Sequence, residues 1–258
     1  MSARLVAPAV MGVLMLALWE GAVRALKIPP YILPGPLLVA ETLVDDWATL
    51  FPSLLVTLRI TLEALAAAVI VGGLLAILFS LSRWVELSLF PYAIILQVTP
   101  IVAIAPLIII WANNVELSLL ICAWLVAFFP ILSNTILGLR SVDPNLLDLF
   151  RLYGAGRWRT LADLRLPAAL PYFLGGLRIS GGLALIGAVV AEFVAGTGGS
   201  ASGLAWRILE AGYQLQIPRM FAALVLISAS GIAIYLVLNV VSHLLLRRWH
   251  ESALEEAA

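Results

Sequence analysis

The sequence predicts an all-α integral membrane protein with six transmembrane helices and both termini on the cytoplasmic side. Three observations carry that prediction. Of the 258 residues, 63% are hydrophobic and only 12% are charged, far from a soluble globular average. The apolar stretches are long enough to cross a bilayer as helices, whereas barrel strands would be about ten residues long and would alternate in polarity. With six spans and an internal N-terminus, Arg4, Arg83, Arg140, Arg151, Arg157, Arg159, Arg165, Arg247 and Arg248 fall inside. Arg24, Lys27, Arg59, Arg207 and Arg219 fall outside, and Arg178 lies within the fifth span.

The first apolar run, from Leu5 to about Val23, is long enough to span. It carries Trp19 and Glu20 where a signal-peptide cleavage region would need small residues, so it reads as a retained span. The proline-rich K-I-P-P-Y-I-L-P-G-P that follows cannot form a regular helix. Pro36 to Leu50 reads as a short amphipathic helix, with Leu38, Leu43 and Trp47 available to membrane lipid. A second span runs from about Ser53 to Leu81, with Arg59 and Glu63 as a partner pair in its first turns.

A third segment, Trp84 to Trp111, contains Pro91, Pro100 and Pro106 and should be kinked. Asn113-Asn114 makes a tight turn into a fourth span, Val115 to Leu139, which holds Pro130 and Ser133-Asn134-Thr135. A fifth span covers about Ala168 to Val194, with Gly175, Gly176, Gly181 and Gly182 permitting close helix packing. An outer loop at 195–217 contains a glycine-serine stretch and a short interfacial helix from Gly203 to Tyr213, before the last span, Phe221 to Leu246.

Between the fourth and fifth spans, Ser141 to Pro171 is the longest strongly charged interruption. Asp143 before Pro144 is an N-cap followed by proline at the first helical position, where a missing N–H costs nothing. Leu146, Leu147, Phe150 and Tyr153 recur at helical spacing, Gly154 and Gly156 break the run, and a second short segment ends at Leu166-Pro167.

Several chemistries are not encoded. The formal net charge is zero, so no basic surface points to nucleic acid. The single cysteine, Cys122, can form no internal disulfide and reads as a small buried hydrophobe. His243 and His250 are too few for a metal site, no G-x-x-x-x-G-K-[ST] sequence is present, and Gly196, Gly198 and Gly199 lack a following lysine. No catalytic residue, and no cluster of nucleophile, base and orienter, is visible. The polar groups at membrane depth are candidates for a translocation pathway: Gln97, Thr99 and Asn134 near helix-breaking prolines, and Glu192 towards the end of the fifth span. For Glu192 a helix-packing hydrogen bond and an outer-gate role are both compatible.

The interruption resembles the cytoplasmic coupling loop, often called the EAA loop, of permease subunits of binding-protein-dependent ABC importers. Asp148 takes the acidic position of that pattern, Gly154 the glycine, Leu164 the aliphatic and Leu166-Pro167 the ending, with matching spacing. Leu149 and Phe150 stand where the pattern has alanines. Y-I-L-P-G-P near Tyr31, T-P-I-V-A-I-A-P-L from Thr99, F-F-P-I-L-S-N-T from Phe128 and A-E-F-V-A-G-T-G-G from Ala191 extend the likeness to the nitrate, sulfonate and taurine branch.

The resemblance implies a type I importer permease fold, with 1–258 as one transmembrane domain and 141–167 as the cytoplasmic coupling loop of a multi-pass protein of the cell inner membrane. It further implies that Asp143, Asp148, Arg151, Gly154, Arg157, Trp158, Leu164 and Pro167 engage an ATPase. On this reading the chain is not an enzyme and binds no cofactor, ATP and magnesium residing on the partner. The implied partners are a second copy of the chain, two ATP-binding subunits and an external solute-binding protein. The implied cargo is a small anion of the sulfonate, taurine or nitrate kind, or a vitamin or pyrimidine precursor. A carboxylate at Glu192 facing the pathway would repel an anion. The alternative, a gradient-driven secondary transporter working alone, would show inverted repeats and would not need the loop.

Overall fold

The computed structural model describes residues 3–195 and 202–247, and every described element is helical. Among the described residues, five helices are long and apolar enough to cross a membrane, or six if one bent pair counts as a span. The described residues form two compact units.

The first unit comprises the described residues within Met1–Val56 and Gly196–Ala229. It holds α1 (Ala3–Ala25), α2 (Pro36–Asp45), α10 (Leu204–Tyr213) and the opening turns of α3 (Trp47–Leu81) and α11 (Ile217–Leu246). Pro36 opens α2, and the Glu20 carboxylate accepts the Leu37 N–H at 3.4 Å there. A Cβ on Gly35 would come within 2.6 Å of that carboxylate, so the glycine makes room for the acid at the positive end of the helix. Val39, Leu50, Leu204, Ile208, Ala222, Ala223 and Leu226 form this unit's buried core.

The amphipathic segment expected over 36–50 is shorter than the sequence indicates. It ends at Asp45, and the next helix begins at Trp47 rather than near Ser53. Asp46 makes the break, because its carbonyl already accepts from Thr49 and Leu50, opening α3, while its carboxylate takes both nitrogens of a forked Arg219 at 2.5 and 2.8 Å. The last helix likewise starts at Ile217, ahead of the expected Phe221.

The second unit holds the rest of α3, then α4 (Arg83–Val98), α5 (Ile101–Ala112), α6 (Val115–Arg140), α7 (Pro144–Leu152), α8 (Arg157–Thr160), α9 (Leu166–Ala195) and the end of α11. The expected partner pair is present: Arg59 meets Glu63 at 2.8 Å and also Glu116 at 3.5 Å. Of the prolines in the third segment, Pro91 and Pro106 remain inside helices, while Thr99-Pro100 breaks α4 from α5 with a 105° bend. Asn113, in the left-handed region with φ 48°, ends α5, and Asn114 caps α6 by accepting the Leu117 N–H at 3.1 Å.

Helices α6 and α9 are packed backbone to backbone. A Cβ on Gly138 would lie 2.7 Å from Ala169 Cα, and one on Gly176 would lie 2.7 Å from the Pro130 carbonyl oxygen. Ser180 donates its hydroxyl across the same interface to the Ala127 carbonyl at 2.6 Å. Among the expected glycines, Gly176 and Gly181 are packed against neighbours, whereas Gly175 and Gly182 meet nothing within 4 Å. Gly138 and Gly187 serve the interface as well. Small residues permit this approach, and dispersion then supplies the stability that a hydrophobic driving force cannot supply in lipid.

The expected stop at Leu166-Pro167 does not occur. A π-helical turn, Leu161–Arg165, joins α8 to α9, and the chain stays helical from Arg157 to Ala195. Proline at position 167 supplies no N–H to the preceding turn and crowds the Asp163 carbonyl; the wider π turn displaces that carbonyl, so Pro167 opens the span instead of ending it.

Candidate functional site

The segment between α6 and α9 is built as its sequence requires at its start. Asp143 caps α7 by accepting the Asn145 N–H at 2.8 Å, and Pro144 follows at the first helical position. Gly154 lies in the left-handed region at φ 69° and donates its N–H to the Arg151 carbonyl at 3.0 Å, turning the chain into α8. Helix α7 is amphipathic yet buries none of its residues: Leu146, Leu149 and Tyr153 stand exposed on one stripe. Trp158 is 73% exposed just beyond the bend.

Asp148 and Arg151 form an ion pair at 2.8 Å, one turn apart and both largely exposed. Arg157 is exposed, Leu164 is half-buried within the π turn, and Pro167 is exposed at the start of α9. An exposed pair of this kind contributes little stability, about 0.5 kcal/mol, so its charges remain available to another surface.

A second feature sits at the α4–α5 bend. A cavity of about 310 Å³ is lined by Gln97 and Thr99 together with Leu96, Ile104, Val126 and Pro130 among others. Pro100 offers no N–H to the Leu96 carbonyl and Pro130 none to the Val126 carbonyl, so both prolines withhold a helical donor beside this cavity. The Thr99 hydroxyl donates to the Ile95 carbonyl at 2.6 Å. Among the described residues, no charged one lines the cavity.

Of the other residues expected here, Asn134 donates to the Pro130 carbonyl at 2.9 Å, one turn away from the lining. Glu192 is 3% exposed and accepts the Thr57 hydroxyl at 2.8 Å, joining α9 to α3 as a packing hydrogen bond would. The structure thus brings Gln97 and Thr99 together and places Asn134 and Glu192 elsewhere. Thr57 had no sequence signal, since a threonine in an apolar span looks like filler until the facing helix is known. Thr57→Val should lower the stability of the purified protein by about 2 kcal/mol, read as a lower melting temperature in detergent, because a buried carboxyl group loses a donor. Glu192→Gln retains an acceptor oxygen and should melt closer to the parent than Thr57→Val.

Comparison with known proteins decides the family. Residues 68–251 match the model described as "Binding-protein-dependent transport system inner membrane component". The chain belongs to this family. It is a permease of a binding-protein-dependent ABC importer.

The permease is 33% identical to a probable ABC transporter permease protein of Haemophilus influenzae, over 94% of this chain and 98% of the relative. It is 35% identical to the riboflavin transport system permease protein RibX of Chloroflexus aurantiacus, over 93% of this chain and 88% of that one. A third relative, the formylaminopyrimidine transport permease protein ThiX of Halalkalibacterium halodurans, is 31% identical over 93% and 94% of the two chains. In the crystal structure of an amino acid ABC transporter with histidines, one chain superposes with a TM-score of 0.60 at 18% identity, covering 81% of the permease and 94% of that chain; this likeness establishes the fold. The permease is therefore a multi-pass membrane transport protein, of a family whose members work with ATPase and solute-binding subunits.

Proposed function

We propose that the permease forms half of a homodimeric translocation pathway driven by two separate ATP-binding subunits and supplied by an external solute-binding protein. The observation that carries this reading is α7, whose apolar stripe finds no cover among the described residues. In this reading Leu146, Leu149 and Tyr153 seat α7 in a cleft of the ATPase, which binds the ATP and magnesium. Asp143 fixes the start of the helix, Asp148 and Arg151 make charged contacts, and Arg157 and Trp158 form the rim. Gly154 sets the angle, and Leu164 and Pro167 carry the motion into α9. The cytoplasmic placement of this segment, of both termini and of the inner-membrane orientation follows the arginine distribution.

We further propose that Gln97 and Thr99 contact the cargo, that Asn134 supports the lining through the Pro130 carbonyl, and that Glu192 acts in helix packing through Thr57. The bent-helix cavity offers an amide, a hydroxyl and backbone carbonyls, and no cation. Such a lining suits an uncharged solute with N–H donors better than a sulfonate or nitrate, which would need a cation to offset its desolvation. The riboflavin and formylaminopyrimidine relatives agree with that choice, while relatives named for aliphatic sulfonates and taurine, each 31% identical, set the anions as the competing cargo.

Purification of the permease with its neighbouring gene products should recover an ATPase in stoichiometric amount and show vanadate-sensitive uptake. Gradient-driven uptake by the isolated chain would overturn the reading. Thermal-shift screening of the solute-binding protein should show stabilisation by flavins or aminopyrimidines and none by taurine or nitrate. Stabilisation by the anions would reverse the cargo assignment while leaving the permease assignment intact.

A further inference from the structure

Where α3 gives way to α4, a larger cavity of about 600 Å³ opens, and its lining includes Arg83, Arg151, Arg157 and Arg165 but, among the described residues, no carboxylate. Arg151 is balanced by Asp148 at 2.8 Å, whereas Arg83 reaches Glu86 only at 3.8 Å and shares that carboxylate with the closer Arg140. Among the described residues, neither Arg157 nor Arg165 has a carboxylate within ion-pair distance. Arg165 donates from Nη1 to the Ser80 carbonyl at 3.1 Å, which positions the side chain without neutralising it. Uncompensated guanidinium groups converging on one partly enclosed space repel one another, and an anion with several acceptor oxygens would relieve that repulsion.

The surroundings say where such an anion comes from. The candidate span of α3 ends at Leu81 and the one that runs on through α9 begins at Arg157, and both residues line the cavity, so it lies at the level where two candidate membrane spans stop. Trp84, also in the lining, is 82% exposed, in keeping with the aromatic residues that settle among lipid headgroups. On α7 the lining residues Leu147 and Arg151 occupy a different flank from the stripe of Leu146, Leu149 and Tyr153. Stripe and cavity can therefore be filled at the same time.

We infer that this cavity binds a phosphate-bearing anion, with Arg157 and Arg165 as its principal contacts. An anionic phospholipid headgroup and free inorganic phosphate share this chemistry; the position at the span ends favours the lipid.

The test uses the full-length chain with its copurifying subunits, in detergent, offered phosphatidylglycerol or phosphatidylcholine and examined by native mass spectrometry. Retention of phosphatidylglycerol should exceed that of phosphatidylcholine by roughly tenfold or more, and Arg157→Gln with Arg165→Gln should abolish the preference. Arg165 also supports the α3 terminus, so Arg157→Gln alone serves as a second variant and should cut the preference by about fivefold. Stabilisation of the parent by millimolar inorganic phosphate, lost in the double variant and without any lipid preference, would support the same site with free phosphate as its source. Unchanged lipid retention and phosphate response in both variants would overturn the inference. So would a carboxylate of a copurifying subunit cross-linked to the cavity in a complex that responds to neither lipid nor phosphate.

Discussion

Gly154→Pro permease should insert and assemble normally, hydrolyse ATP through its partner subunits, and fail to import. The glycine sits at φ 69°, which proline cannot adopt, and its N–H holds the Arg151 carbonyl at the end of α7. Proline removes that hydrogen bond and forces the chain out of the left-handed turn, so α7 leaves its angle to α8. The fold should survive because a Cβ at this position meets nothing within 4 Å. Alanine is the graded comparison: left-handed backbone costs it about 1 kcal/mol, which shifts the equilibrium constant for the correctly angled turn roughly fivefold, whereas proline should reduce uptake well beyond what alanine does. Asp148→Arg, which sets two cations one turn apart on exposed α7, should also uncouple. ATPase activity and uptake, measured side by side in proteoliposomes, check the prediction; coupled transport by the proline variant would contradict it.

Gly176→Leu should yield no folded permease. A Cβ there would stand 2.7 Å from the Pro130 carbonyl oxygen and 3.0 Å from Asn134 Cβ, and the first of these is backbone that cannot step aside. Alanine alone should cost about 2 kcal/mol by overpacking, and the extra carbons of leucine would pry α9 from α6. The adjacent Gly175 meets nothing within 4 Å, so Gly175→Ala should be neutral or stabilise by up to about 1 kcal/mol through helix propensity. Size-exclusion profiles and melting temperatures of the two variants decide the matter, and equal behaviour would show that the interface is not set by Gly176.

Much of this architecture is legible in the sequence because hydropathy and punctuation are local properties. The Asp143-Pro144 start, the Gly154 turn and the Asn113-Asn114 turn each depend on two or three adjacent residues, and the structure realises all three. The errors arose where distant partners decide. Asp46 ends α2 because Arg219, far along the chain, grips it. Gly175 and Gly176 look alike in sequence, and only the facing Pro130 tells them apart. Leu166-Pro167 reads as a stop under α-helical rules, which have no place for a wider turn upstream.

That turn has a mechanical meaning. From Arg157 to Ala195 the chain forms one rod of 39 residues, about 58 Å long at helical rise, with a single surplus residue stored near its base. Relaxing the π turn to ordinary α geometry would release that residue and screw everything above it by about 100° and 1.5 Å relative to α8. On the proposed coupling, a small push at Arg157 and Trp158 would thus emerge at the far end of α9 as rotation rather than as tilt, bringing a different side of the helix towards its neighbours without bending it.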